Sequence, residues 1–262
     1  MSYRFSAALL ALALTVTNAG AVLLDWNALS WTPGSLSNSY DIDPSSAGND
    51  VTATFSGDTS RFTNDPTTGI ATPAIDNTME GGLGGVQKSL DMAMALTTNK
   101  TITFTLTFSA AYTQGVNNVS LTLFGIDLGT VTDTVHSITA LGTDGVTVYS
   151  PTITGVGPAV QLSGSGANQI LTGISVIPNG GAGSGDGNAT ITFSGYVRSI
   201  TFTFEDGNTG FANTQMAIGN LLYTPLPEFN AAWGSVGVCT AAILAAGQGR
   251  KRRLVPSVSR RG

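Results

Sequence analysis

Carboxylates carry most of the chemistry this sequence can offer: 16 Asp and Glu stand against a single histidine and a single cysteine. His136 sits in the strand-like run Thr134-Val-His-Ser-Ile138, and the chain has no Gly-x-Ser-x-Gly elbow, so a serine triad has little support. Cys239 falls in a terminal apolar stretch. With one histidine beside it, the common zinc constellations cannot be assembled within the chain. Paired acids are the remaining catalytic device. Asp127 with Asp133, and Glu205 with Asp206, are the pairs to place on either side of a glycosidic bond. The plainer reading is of acids solvated in turns, and the chain is expected not to be an enzyme.

Calcium suits these residues better, because it takes hard oxygen donors of the kind that cluster in turns. Asp41, Asp43 and Asp50 form one candidate group, Asp127 and Asp133 another, and Glu205, Asp206 and Asn208 a third. No EF-hand is spelled. Asp127, Asp133, Glu205 and Asp206 are the metal candidates, with calcium as the candidate cofactor. The stretch Gly180-Gly-Ala-Gly-Ser-Gly-Asp-Gly-Asn188 resembles the calcium-binding nonapeptide repeat, yet its aspartate is one place late and it occurs once, which reads as a turn. Aromatic rings are the usual platforms for sugars. Trp26, Trp31 and Tyr40 are the candidates for a glycan face, with Tyr112 and Phe211 nearby in type, although a sandwich also needs such side chains to fill its core.

The elements that must position these groups have a two-residue period. Leu90, Met92, Met94 and Leu96 alternate with smaller or polar residues, and Ile102, Phe104, Leu106 and Phe108 alternate with threonine, which predicts strands with one buried and one wet face. Similar runs recur through residues 117–124, 133–141, 189–204 and 216–224, separated by Gly, Asn, Asp and Ser. The expected fold is all-β: an antiparallel two-sheet sandwich of jelly-roll type, flanked by an N-terminal signal helix and a C-terminal hydrophobic helix. Thr143-Asp144-Gly145 and Ser194-Gly195 are the expected hairpin turns. Residues 63–89 form the one long connection, either a binding loop or a mobile one.

Charge is segregated along the 262 residues. Between residues 22 and 224 there are four basic residues against 15 acids, a balance of −11 that disfavours nucleic acid and anionic lipid as partners. That body contains no cysteine, as befits a domain folding outside the cell. Residues 1–21 read as a signal peptide: Arg4, the apolar run Phe5 to Val16, and Ala19-Gly20-Ala21 as the site for signal peptidase. At the other end, residues 225–262 read as a sorting or anchor segment. Phe229 to Ala246 is an 18-residue apolar stretch, near the minimum that spans a bilayer core, and Arg250, Lys251, Arg252 and Arg253 would hold its far side in the cytoplasm.

With Pro225-Leu-Pro227-Glu228 ahead of it, this tail resembles the PEP-CTERM sorting signal, although Phe229 replaces the usual second proline and nine residues follow the basic cluster. The resemblance implies processing by an exosortase-like membrane enzyme and delivery to the surface or the extracellular polysaccharide. A plain membrane anchor of the same topology is the alternative. The body, over most of residues 25–223, resembles a recurrent bacterial surface module through Asp25-Trp26, Trp31, Ser37-Asn-Ser-Tyr-Asp41, Gly115-Val-Asn-Asn-Val-Ser-Leu-Thr-Leu-Phe-Gly-Ile-Asp127, Pro151-Thr-Ile-Thr-Gly155 and Ala217-Ile-Gly-Asn-Leu221. Relatives tend to read Phe-Asp-Ile-Asp where this chain has Gly125, which removes an acid from any metal site built there. Two functions follow as expectations. The first is a non-catalytic structural or adhesive component of the surface or matrix, partnered by polysaccharide or other surface proteins; the second is a carbohydrate-binding module, with or without calcium.

Overall fold

The computed structural model describes residues 20–84, 87–97, 99–177, 184–206 and 213–226. Ala19, Phe211, Pro227, Glu228, Trp233 and the basic cluster Arg250 to Arg253 lie outside the described residues, as do both expected terminal helices. Among the described residues no helix is long and apolar enough to cross a membrane. The strands are β1 (Val22–Leu24), β2 (Ser37–Tyr40), β3 (Val51–Gly57), β4 (Ala74–Asp76), β5 (Ser89–Met94), β6 (Thr101–Phe108), β7 (Val116–Phe124) and β8 (Asp133–Gly142). They continue as β9 (Val148–Tyr149), β10 (Thr152–Thr154), β11 (Val160–Ser163), β12 (Ile170–Gly173), β13 (Ala189–Phe193), β14 (Val197–Asp206) and β15 (Thr214–Pro225).

Two antiparallel sheets result. One runs β2-β3-β6-β14-β8-β12-β11, with β9 beside the far end of β8. The other runs β10-β13-β7-β15-β5-β4, with β1 beside the second half of β15. Among the described residues the pairing Val197↔Val116 is the one ladder contact between them. Alternation decides which side chains meet between the sheets. Phe104, Leu106 and Phe108 of β6, with Ile200, Phe202 and Phe204 of β14, share one buried cluster with Leu121, Leu123, Ile191, Phe193, Met216, Leu221 and Tyr223 of the opposite sheet. The Phe108 and Tyr223 rings stand 5.0 Å apart across that interface. Each such side chain removed from water contributes roughly 1.5–3 kcal/mol before entropy is counted. On the outer face of the first sheet, hydroxyls pair across strands: Thr103 with Thr203 at 3.1 Å and Thr105 with Thr201 at 3.3 Å. The all-β antiparallel sandwich is the fold the alternation predicts.

Two local expectations differ. Thr143-Asp144-Gly145 does close the β8–β9 hairpin, with the Asp144 carboxylate accepting the Val146 and Thr147 N–H groups. Ser194-Gly195 does not make a hairpin, because β13 pairs with β7 and β10 whereas β14 pairs with β6 and β8; the turn carries the chain from one sheet to the other. The second difference concerns β5, whose Ser89, Asp91 and Ala93 were expected to face water. All six residues of β5 are buried. Leu90, Met92 and Met94 face the main core, and the other side is covered by the connection that precedes the strand. Thr63 N–H donates to the Ala93 carbonyl, the Thr72 hydroxyl bonds the Ala93 backbone, and the Ser89 hydroxyl donates to the Met79 carbonyl. The connection is therefore pinned to the sheet, and it supplies a short strand of its own, β4.

Candidate functional site

The site is organised by the first two residues of β15. Successive strand residues point to opposite faces, so Thr214 faces the interior between the sheets and Gln215 the outer side, beneath the connection. Each reaches a nest of carboxylates. A cleft of about 210 Å³ opens between the two nests, lined by Pro66, Asp127, Gly129, Thr130, Val131, Asn213, Thr214 and Gln215.

The inner nest contains residues that the sequence singled out. Asp133 is buried at the start of β8 and takes the Thr214 hydroxyl on one oxygen and the Asp127 N–H, at 3.1 Å, on the other. Asp206 is opposite Asp133 in register and is also buried. Burial holds Asp133 well above the usual carboxylate range, and the neighbouring Asp127 and Asp206 carboxylates add to this against the pull of its hydrogen bonds. Asp127 is raised too, again chiefly by burial. Both carboxyls are thus hydrogen-bonded and held above the usual carboxylate range, and Asp127 lines the cleft. Glu205 leaves the group, because its side chain points to the other face of β14 and meets His136 at 3.2 Å. The pairing of Glu205 with Asp206 as two catalytic acids or two ligands of one ion is thus corrected: adjacent strand residues diverge.

The outer nest was not foreseen. Asp65 and Asp76 come from the connection and Asp91 from β5, and one carboxylate oxygen from each lies within 4.8 Å of the others. Asp65 is held by a turn: one oxygen accepts the Thr67 N–H at 2.7 Å, together with the Thr68 N–H and hydroxyl. Burial pushes its carboxyl up, but these bonds and one from Thr78 outweigh that and leave it below its ordinary value. Asp76 accepts the Thr78 N–H at 2.9 Å and hydroxyl at 2.7 Å on the same oxygen. Gln215 donates to Asp65 and, at 3.0 Å, to Asp91. Asp91 is pushed up to about 8, first by burial and next by the Asp76 carboxylate. The signal in the sequence was the chemistry of Ser89-Leu-Asp-Met-Ala-Met94: Ser, Asp and Ala are small, unlike the threonines of the wet strands, and leave room for a covering segment.

In the group Asp41, Asp43 and Asp50, the buried Asp43 and Asp50 are engaged in local hydrogen bonds. Asp50 accepts the Ile42 and Asp43 N–H groups at 2.7 and 2.6 Å and the Tyr112 hydroxyl at 2.9 Å, which fixes a loop. The proposed glycan rings are core residues: Trp26, Trp31 and Tyr40 are 1, 5 and 7 % exposed. Trp26 donates its indole N–H to the Gly219 carbonyl at 2.9 Å and packs edge-on against Tyr40. None of the three presents a face on which a sugar could stack, and none lines the cleft. Gly125 explains itself sterically. It has φ +76°, and a Cβ there would lie 2.2 Å from the Met79 side chain and 2.8 Å from the Gln215 carbonyl, so an aspartate has no space at this position.

No family model matches this chain, and no curated protein matches it. Among solved structures it is similar to a family 11 carbohydrate-binding module from Clostridium thermocellum in complex with a β-1,3-1,4-mixed-linked tetrasaccharide. The identity is 11 % and the TM-score 0.30, over 80 % of this chain and 98 % of that one.

Proposed function

We propose that this protein is an exported, non-catalytic surface component whose sandwich holds a neutral, hydroxyl-rich polysaccharide in the cleft at the start of β15. One observation carries the reading: the cleft sets an acid, Asp127, beside the polar residues Thr130 and Asn213. Such a wall offers acceptors and donors to sugar hydroxyls while its acidity repels phosphate and uronate. His136, the single histidine of the chain, is engaged with Glu205 away from this wall, so the cleft has one acid, Asp127, without a positioned histidine base. Export rests on the signal peptide expected at residues 1–21. Retention rests on the tail that resembles an exosortase-sorted signal, with Pro225, Pro227 and Glu228 as its motif.

The reading is tested by fractionating the native cells. The protein is expected in the surface or matrix fraction, released by enzymes that degrade the polysaccharide and retained through a high-salt wash. Release by salt alone, or recovery from the cytosol, would overturn it.

A further inference from the structure

The outer nest has two oxygens with nothing to bond. Asp91 Oδ2 and Asp76 Oδ2 are both buried and lack any hydrogen-bond partner, in residues 0 and 8 % exposed. Buried polar atoms are nearly always satisfied, and an orphaned carboxylate oxygen costs more than a neutral one. Two of the local donors are shared. The Thr78 hydroxyl lies within bonding distance of both Asp76 and Asp65, at 2.7 and 3.0 Å, and has one proton to give. The two Nε2 protons of Gln215 are already directed at Asp65, Asp91 and Thr78. Three buried carboxyl groups thus converge with two of their six oxygens unmatched.

We propose that Asp65, Asp76 and Asp91 bind one divalent cation, calcium by preference. An all-oxygen donor set is hard and selects calcium or magnesium over the softer transition metals. Flexible geometry and few retained waters favour calcium in so enclosed a space, since magnesium keeps several waters in a strict octahedron. Turning the Gln215 amide over would present its Oε1 as a further ligand. The ion would fasten the connection, through Asp65 and Asp76, to β5 through Asp91, and so set Pro66 and Gln215 in the cleft wall. This site stands whether or not the cleft takes a polysaccharide.

Calcium chloride titrated calorimetrically into the full chain is expected to give a one-to-one heat, with magnesium weaker. Calcium at about 100 times its Kd should raise Tm by about 5–10 °C. Asp91→Asn and Asp76→Asn should each weaken calcium at least ~10-fold, the loss that even an outer-shell partner produces. Asp127→Asn, in the cleft, should leave calcium affinity unchanged. Without calcium, Asp91→Asn should melt no lower than the parent, because it removes a carboxyl whose ionisation burial and the Asp76 carboxylate already oppose. A wild-type chain that gives neither heat nor a Tm rise would overturn the proposal, as would undiminished binding by both variants. If the variants do not fold, crystals grown with calcium decide it: an anomalous peak among the three carboxylates supports the site, and a peak elsewhere or none refutes it.

Discussion

Thr214 and Gln215 are consecutive residues whose side chains serve opposite sides of one sheet: the Thr214 hydroxyl bonds Asp133 within the sandwich, and the Gln215 amide bonds Asp65 and Asp91 beneath the connection. A single peptide unit therefore couples two buried acidic nests and forms the wall between them.

Gln215→Glu tests the outer nest through this coupling. The change removes an amide donor and adds a fourth carboxylate, so without divalent cation it should cost ~3 kcal/mol, the scale of an unsatisfied buried charged group. Thermal melting with and without calcium reads the effect. The increment from calcium should exceed that of the parent, because the new acid is also a ligand.

Gly125 is required by its backbone and by its neighbours. Gly125→Ala places a Cβ in the left-handed region, at about 1–2 kcal/mol, and against the Gln215 carbonyl at 2.8 Å. A total loss of roughly 2 kcal/mol or more is expected, since overpacking adds its own cost. Gly125→Asp should be worse and should create no new metal affinity. Urea denaturation midpoints check both.

Three tyrosines should ionise late. Burial pushes Tyr40 up to about 12, and it raises Tyr112 and Tyr223 as well; Tyr112 also lies against Tyr223 and Asp50. Each is neutral in the fold and loses its proton more easily in the unfolded chain, near the ordinary value of 10.0. The contribution of Tyr40 to stability is complete below pH 10 and declines as pH rises from 10 through about 12, and Tyr112 and Tyr223 act in the same direction. Phenolate absorbance should show a late phase that coincides with loss of near-ultraviolet circular dichroism.

The two ends of the native protein are accessible to mass spectrometry. The expected N-terminus is Val22, after cleavage at Ala19-Gly20-Ala21, and the expected C-terminus lies near Pro227-Glu228. A mature chain still carrying Arg250 to Gly262 would contradict exosortase-like processing and leave the plain membrane anchor.

Much of the fold was legible because alternation is a direct imprint of a half-buried strand. Thr101-Ile-Thr-Phe-Thr-Leu-Thr-Phe108 is written in the pattern that it adopts. What was hidden depended on tertiary cover. Asp91 occupies a position that alternation assigns to water, and only the connection folded over β5 makes it buried. Its partners Asp65 and Asp76 lie far enough back in the chain that spacing gives no hint of their meeting. Nearness in sequence was the wrong guide to ligand groups: it joined Glu205 to Asp206, which a strand separates, and missed three acids that a loop brings together. Trp26 and Trp31 were equally ambiguous, since the same ring fills a core or faces a sugar, and burial alone decides.

Affinity electrophoresis of the full chain through gels cast with neutral polysaccharides tests the proposed function most directly. The parent protein should be retarded by at least one such polymer and by no polyuronate. Asp127→Asn, which replaces one charged acceptor, should weaken the retardation roughly tenfold or more, the scale of a hydrogen bond to a charged group. Equal mobility of parent and variant in every polysaccharide gel would contradict the account.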